Sequence, residues 1–512
     1  MKILPIFMKN SIKYILLIFT LIAVSCDKGF DDLNINKTAA TAINPAFILN
    51  NAVINTSFTN NQLILEVGIV QQMVSPNSGV LTGANFNQDN RDATAANWQR
   101  YYRSVIRYTA DVINQTTELP NRSNLRNMAR ILQAFAFMVL TDTYGDVPYF
   151  EAGKGYIEQI ASPVYDAQQA IYSDIIKELT EASAALDASK TIETADVLFG
   201  GDIAKWRKFG NSLLLRAGLR LVKADAGLAQ STVQKAIAGG IMTSNADNAF
   251  IKHDPNYTNA CGQWMNSTEA NNAYLGKPFV DYLKNNNDPR LKAIANRYVG
   301  AKSGPEQTAA KSVTDPSVQI GMPFGYDNNS IKTAVAADGL ASFYDYSQCD
   351  RFRFGKNTAP MFLVTYSQTS LLLAEAIQRG WTSGSAADAF KNGIKANMEE
   401  AAAHDAGSAI AASAIDAYLA ANPYDAAKGL EQINTQYWVS SFLNGPEAFA
   451  NFRRSGFPAL APNPFPGKAI KGNFINRLTY PNSEISVNST NVQAAIARQG
   501  ADDLDTKVWW HK

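Results

Sequence analysis

Cysteine and histidine are the scarcest chemistry in this 512-residue chain, with three of each. Cys26, Cys261 and Cys349 cannot build a disulfide framework, and no two of them make a Cys-x-x-Cys pair for zinc or redox work. His253, His404 and His511 lie far apart, without the spacing of metal ligands. No His-Glu-x-x-His, Walker or Gly-x-Ser-x-Gly sequence is present. Charge is thin as well: Asp, Glu, Lys and Arg make up 18% of the residues, and 46 cations against 45 acids leave a net charge of +1. A chain this near neutrality has no basic face for nucleic acid, whereas neutral ligands such as sugars remain open to it. Paired carboxylates of the glycosidase kind could be drawn from anywhere among 45 acids, so their presence is no evidence for hydrolysis.

What is present begins at the N-terminus. A segment with Lys2, Lys9 and Lys13 and no acid precedes the apolar run Tyr14 to Val24, then Ser25-Cys26. Such a run is too short to span a bilayer comfortably but suits a secretory signal. Without those three cations, 43 Lys and Arg face 45 acids, a charge near −2. The small residue before Cys26 resembles a bacterial lipobox, although Ala23 stands where such motifs more often carry Leu. Asp27, Lys28, Asp31 and Asp32 follow, and early acids resemble the surface-export signals of Bacteroidetes lipoproteins. The expected organisation is a lipoprotein signal over residues 1–25, a polar tether over 26–44 beginning at a lipidated Cys26, and a single domain over 45–512. Cys261 and Cys349 are then left either to pair or to stay as free buried thiols.

From Pro45 the pattern turns helical, through Phe47, Ile48, Val53 and Ile54 to Leu65, Ile69 and Val70. Pro76 to Ala96, dense in Gly and Asn, reads as a long loop carrying Phe86. Trp98 to Glu118 places Trp98, Tyr101/Tyr102, Val105, Tyr108 and Val112 at helical steps, which assigns these aromatics to the core. This helix pairs with the one from Met128 to Leu140 across a short polar turn. Tyr165 to Leu186 with Ile203 to Val222, and Pro360 to Gly380 with Ala386 to Ala403, suggest two further helical hairpins. No fixed repeat period links them. Residues 239–359 lose helical periodicity except around Phe279 to Lys284, and read as a large irregular region, too aromatic to be disordered. The terminal Val508-Trp509-Trp510-His511 is too aromatic for a free tail and should pack onto the body.

The chain is organised around Arg130 to Glu151. Ile131, Phe135, Met138 and Val139 make one helical stripe, widened by Leu132, Ala136 and Leu140, so this helix must be covered on several sides. Gly145 and Pro148 then stop it. The ending Leu-Thr-Asp-Thr-Tyr-Gly-Asp-Val-Pro-Tyr resembles the SusD-like (SusD/RagB) family. The resemblance continues in order through Trp206-Arg-Lys-Phe209 to Arg216, Tyr366 to Glu375, Gly445-Pro-Glu-Ala-Phe449 to Arg453-Arg454-Ser-Gly456, Arg477 to Pro481, and Trp509-Trp510. It implies a mainly α protein: tetratricopeptide-like helical hairpins forming an α/α superhelical scaffold, with irregular structure carrying the ligand surface. It further implies a lipid-anchored outer-membrane protein that delivers glycans or other oligomeric nutrients to a SusC-like TonB-dependent transporter, with no cofactor and no catalysis.

Sugar binding needs flat rings to stack on pyranose faces and amide or charged groups for the hydroxyls. Two loop stretches offer both: Phe86, Asn87, Asp89 and Arg91; and Tyr257, Gln263, Trp264, Asn266 and Tyr274. Phe343-Tyr344-Asp345-Tyr346 is a weaker third. Each loop aromatic admits either ligand contact or ordinary packing, and Trp264, without helical or strand periodicity, is the leading stacking residue. Asp89 to Asp92 lacks the Gly and distal Glu of a calcium loop, so no metal is expected there. Arg216 and Glu375, set in apolar helical runs, each require a partner, which favours structural ion pairs. Peptide binding, surface glycosidase activity and a pure protein-docking scaffold remain the rival readings.

Overall fold

The computed structural model describes residues 43–77 and 79–512; the signal segment, Cys26 and nearly all of the 26–44 tether lie outside the described residues. The N-terminal helices α1 (Pro45–Asn55) and α2 (Asn60–Ile69) are separated by a turn at Thr56 to Thr59. Next comes α3 (Arg91–Tyr101), running through a π-helical turn at Tyr102–Ile106 into α4 (Arg107–Thr116). It starts seven residues before Trp98 because Asn90 caps it, its side chain accepting from Ala93 N. The expected long loop from Pro76 to Ala96 is therefore shorter than its Gly and Asn content implied, and it also holds a short helix, Gly79–Asn85. Trp98 and Tyr101 are buried, as their spacing predicts, and Tyr102 is half-buried.

The organising helix is α5 (Ser123–Tyr144), reached from α4 across a turn at Pro120–Arg122. Leu125, Met128, Ile131, Leu132, Phe135, Met138 and Leu140 are all buried, so this helix is covered on all but the half-buried strip of Arg126, Arg130 and Gln133. Gly145 ends it at φ +84°, a conformation that L side chains rarely adopt, and its amide bonds back to Thr141 O at 2.8 Å. Two further hairpins pair α6 (Gln168–Ala184) with α7 (Ile203–Arg220), and α9 (Tyr366–Gln378) with α10 (Ala386–His404). Between them α8 (Ala226–Ala238) folds back on α7. Residues 361–364, expected as the start of a helix, are instead a strand; α9 begins only after Thr365 and Gln368 form a capping box. The scaffold closes with α11 (Gly429–Ser440) on α9 and α12 (Gly445–Ser455) on α2. Among the described residues no helix is long and apolar enough to cross a membrane.

The Asp-Thr-Tyr-Gly ending of α5 is a polar hub inside this scaffold. Asp142 Oδ1 accepts from Tyr172 Oη and from Trp510 Nε1 at 2.8 Å, and its Oδ2 faces Arg220 Nε at 3.1 Å. Arg453 Nη2 donates to the Asp142 carbonyl at 2.7 Å, while Arg220 Nη2 reaches Glu447 at 2.7 Å. Arg216 joins the same Glu447 at 3.4 Å. On the neighbouring face Arg454 holds Glu375 through two bonds of 2.6 and 2.7 Å. The two charges that looked awkward in apolar helices are thus each paired, Arg216 with Glu447 and Glu375 with Arg454. Trp510 is wholly buried against Arg453, which lies 4.9 Å from its ring, so the aromatic C-terminal segment does pack back.

In the irregular stretch after α8, short helices such as Lys277–Asn285 and Ile331–Ala337 alternate with short strands, and antiparallel pairs stitch the loops to the scaffold. Strand β1 (Met73–Val74) pairs with β5 (Tyr274–Leu275), and β4 (Ala249–Ile251) pairs with β9 (Met361–Val364). A two-residue pair, β2 (Val147–Pro148) with β3 (Tyr165–Asp166), closes the loop after α5. The largest sheet has the order β7 (Ser312–Val313), β6 (Ala295–Tyr298), β8 (Gln348–Cys349). Cys261 and Cys349 are both buried free thiols.

Candidate functional site

The recess that stands out is built on the β6–β8 pair. Asn296 lies opposite Gln348, and Tyr298 follows two residues on, so their side chains emerge on the same face of the sheet. The turn after β8 carries Arg351 back over that face, its guanidinium carbon 5.5 Å from the Tyr298 ring and 5.2 Å from the Phe352 ring. Gln307 closes the far side, with its carbonyl 3.5 Å from Arg351 Nη2. Both glutamines have their amide nitrogens engaged: Gln307 Nε2 donates to Tyr344 O at 2.9 Å, and Gln348 Nε2 to Ala270 O at 2.8 Å. Their carbonyl oxygens consequently turn away from those bonds. Gln348 Oε1 is buried with no close hydrogen-bond partner among the described residues, while the Tyr298 hydroxyl is turned toward Arg351 and the Gln307 amide toward the Tyr274 hydroxyl. Leaving such a group unpaired costs about 1–3 kcal/mol, which makes this polar cluster the candidate place for an outside partner.

Rings frame the recess. Phe352 is 60% exposed, and Phe343 and Tyr344, both half-buried, stack on each other at 4.1 Å. On one flank the short helix Ala260–Met265 lies hard against the turn at Lys356-Asn357. A Cβ at Gly262 would sit 2.3 Å from the Lys356 carbonyl, so only glycine permits this approach. Asn266, at the end of that helix, donates to Arg351 O at 3.0 Å and so holds the Arg351 turn in place. On the other flank Asn77 donates to Asn272 at 3.0 Å and accepts from Asn328. Asn85 continues the connection, bonding Tyr326 O at 2.9 Å, and the next residue, Phe86, stacks on Phe465 at 4.0 Å.

One of the three sequence-predicted stretches, Phe343 to Tyr346, therefore frames the recess, and parts of the other two lie beside or beyond it. Asn266 and Tyr274 border the recess, the latter 6.1 Å edge-on to Phe343. Gln263 is exposed on the helix that ends at Asn266. Phe86 and Asn87 lie farther along, next to the 463–469 segment, and Asn87 is buried at φ +51° with an unpartnered Nδ2.

The remaining candidates are turned to structural tasks. Asp89 bonds Thr479 Oγ1 at 2.7 Å and faces Arg91 at 3.1 Å, where a guanidinium fills the place a cation would need. Arg91 is further held by Asp502 at 2.6 Å and Tyr480 O at 2.8 Å. Tyr257 stacks on His253 at 4.9 Å and donates its hydroxyl to Ile54 O at 2.5 Å. Trp264 lies on a helix, not in an irregular loop, and joins the hydrophobic core; Tyr274 is fully buried in β5. Neither presents a free face, because the six-residue helix and the two-residue strand were too short to show in the periodicity.

Tyr298, Gln307, Gln348, Arg351, Phe352 and Phe465 escaped the sequence reading. Arg351-Phe-Arg-Phe354 alternates guanidinium and ring, a pattern that could have drawn notice, and Phe465 sits among prolines. Gln307 and Gln348 carry no local signal at all.

Scaffold and loops together define a class: a mainly helical body of packed hairpins with a loop-rich region carried on it. The profile of the SusD-like family described as starch-binding and associating with the outer membrane matches residues 36–481. A solved chitin-binding protein is 30% identical, covering 92% of this chain and 100% of its own, with a TM-score of 0.81. A Bacteroidetes SusD-like structure is 28% identical over 92% of this chain and 100% of its own, with a TM-score of 0.79. A chitin-binding SusD homolog from Flavobacterium johnsoniae, at 22% identity over 91% of this chain and 98% of its own, shares the fold with a TM-score of 0.74. No curated protein matches the chain. The chain belongs to the SusD-like family of outer-membrane nutrient-binding proteins, whose members bind without catalysing.

Proposed function

We propose that this protein captures a glycan at the Arg351–Phe352 recess and passes it to a SusC-like TonB-dependent transporter, held at the cell surface by a lipid on Cys26. The observation that carries the reading is the juxtaposition of an exposed ring, Phe352, and the Arg351 guanidinium beside it with a buried polar cluster in which Gln348 Oε1 has no close partner among the described residues. A sugar supplies what that pairing lacks: an apolar face for the ring and hydrogen-bonding groups for the recess. The chitin-binding descriptions of two related structures support a carbohydrate over a peptide. Phe86 with Phe465, Asn87, Gln263 and Asn266 are proposed as outer contacts for a longer chain of sugars.

Titration calorimetry against a panel of oligosaccharides and peptides tests the ligand class. Phe352→Ala should weaken glycan binding about tenfold, equivalent to about 1.4 kcal/mol, without shifting the denaturation midpoint. Binding of peptides alone would move the protein to the rival reading. Fatty-acid labelling that marks the wild-type chain and not Cys26→Ala tests the anchor, and co-purification of a TonB-dependent barrel tests the partner.

A further inference from the structure

We propose that a second recess, on the helical body, binds an organic cation: an ammonium or guanidinium carried on an aromatic or alkyl stem. It lies between α4, α5, α6 and the loop that follows α5, and it encloses about 280 Å³. It shares no lining residue with the Arg351–Phe352 recess and does not depend on the glycan reading. The loop wall is held in place by the protein itself. Asp166 Oδ2 accepts from both Tyr149 N and Phe150 N at 3.0 Å. A Cβ at Gly153, where φ is +76°, would lie 3.0 Å from Ala110 Cβ and 3.1 Å from Ile106 O, so the loop runs close along α4.

Three of the lining rings make a corner rather than a platform. Phe137 and Tyr149 meet at 4.4 Å with their planes 55° apart, and the exposed Phe150 stands edge-on to Tyr149 at 4.9 Å and 89°. A pyranose stacks on one flat face, whereas rings set at angles surround a compact cation with their negative faces. Ala110, Ile113 and Ile157 add aliphatic wall for the stem. The charged residues lining the recess are three acids and one lysine. Glu158 is matched by Lys154 at 3.1 Å, and Glu178 by Arg130 at 2.6 Å. Asp174 is matched less closely. Its Oδ2 accepts from Tyr149 Oη at 2.9 Å, and the cation paired with it, the exposed Lys177, stands 3.9 Å from Oδ1. Burial, and then the Asp174 charge, push the Tyr149 hydroxyl up, so that it stays neutral beside the acid. An anionic ligand would face all three carboxylates. A cation brings its charge to the one acid without a close counter-ion, beside rings that keep the local dielectric low.

Calorimetry on the full chain with tryptamine, its neutral counterpart tryptophol and its anionic counterpart indole-3-acetate separates charge from shape. Tryptamine should bind at least about tenfold more tightly than tryptophol, with indole-3-acetate weakest. A lysine peptide blocked at both ends tells the sources apart: tighter binding than tryptamine assigns the cation to a protein segment, and weaker binding to a small amine. Asp174→Asn keeps an acceptor for Tyr149 and should bring tryptamine down to the affinity of tryptophol with the melting temperature held. Phe150→Ala, at an exposed position, should weaken both indoles by a similar factor, and Phe352→Ala should change neither. Equal binding of tryptamine and tryptophol would overturn the proposal, as would tryptamine affinity indifferent to Asp174→Asn and Phe150→Ala, or its loss in Phe352→Ala. Failure of both tryptamine and the lysine peptide to bind would overturn it too, and each of these results leaves the glycan reading standing.

Discussion

A tryptophan only 8% exposed on a short helix has no face left for a ligand, so Trp264→Ala should act on stability. The expected loss is about 3–5 kcal/mol, read from the denaturant midpoint. Phe352, at 60% exposure, should behave oppositely and cost less than about 0.5 kcal/mol. If both substitutions shift the midpoint alike, the assignment of the exposed ring to the ligand fails. Glu375 makes a second case. Burial pushes its carboxyl up, but Arg454 and Arg379 more than reverse this and hold it down at about 2. Removing it by Glu375→Ala strands Arg454 in the interior, and should destabilise the fold by about 3–5 kcal/mol. A stability unchanged from wild type would show that water reaches Arg454.

Among the elements, long helices were legible and short ones were not. The stripe through Ile131, Phe135 and Met138 spans enough turns of α5 for its period to show, and Gly145 and Pro148 mark its end. The onset of α3 does not show in the sequence because Asn90, which caps it, sits in a Gly- and Asn-rich stretch that has the composition of a loop. The onset of α9 was misplaced because Met361–Val364, a run of apolar residues, suits either a strand or a helix. Thr365 is the physical boundary between the two. Thr365→Ala should remove the side-chain bond to Gln368 N and cost about 0.5–2 kcal/mol, whereas Phe135→Ala on α5 should cost about 3–5 kcal/mol. Equilibrium unfolding of the two variants would rank them, and the reverse order would mean that packing around α5 relaxes to fill the space.

For the molecule as a whole, the helical body could be read from the chain and the recess could not. Gln348 and Tyr298 become neighbours only through the β6–β8 pairing, and Gln307 reaches them from a separate turn. No spacing along the chain encodes such a meeting. The body as a whole also sets the response to pH. Burial raises Glu66 to about 8 against the opposing pull of Thr143 and Arg453, and it raises Glu400 to about 8 against bonds from Asn248 and Asn397. Burial lowers His404 to about 4, and burial with the nearby Arg453 charge lowers His511 to about 3. Between about pH 4.5 and 6.5 the folded glutamates hold protons that the unfolded chain has shed, while the folded histidines refuse protons that the unfolded chain takes up. These trends oppose each other. Above about pH 6.5 only the glutamates remain, so stability should fall toward pH 8 by about 1–2 kcal/mol for each. Denaturant midpoints at pH 6 and 8 should show the decline, and Glu66→Gln with Glu400→Gln should flatten it. A slope unmoved by the double substitution would assign the effect to other groups.

The bond from Trp510 to Asp142 spans 368 residues, and the one from Trp438 to Val70 spans the same distance. Loops of that size close late, since the chain must give up much of its freedom before such contacts repay it. Until such contacts form, α5, the longest of the described helices, lacks the cover that Trp510 gives its polar end. A chain shortened by its last few residues should therefore lose more than a tail, because Asp142 would be left without the Trp510 donor.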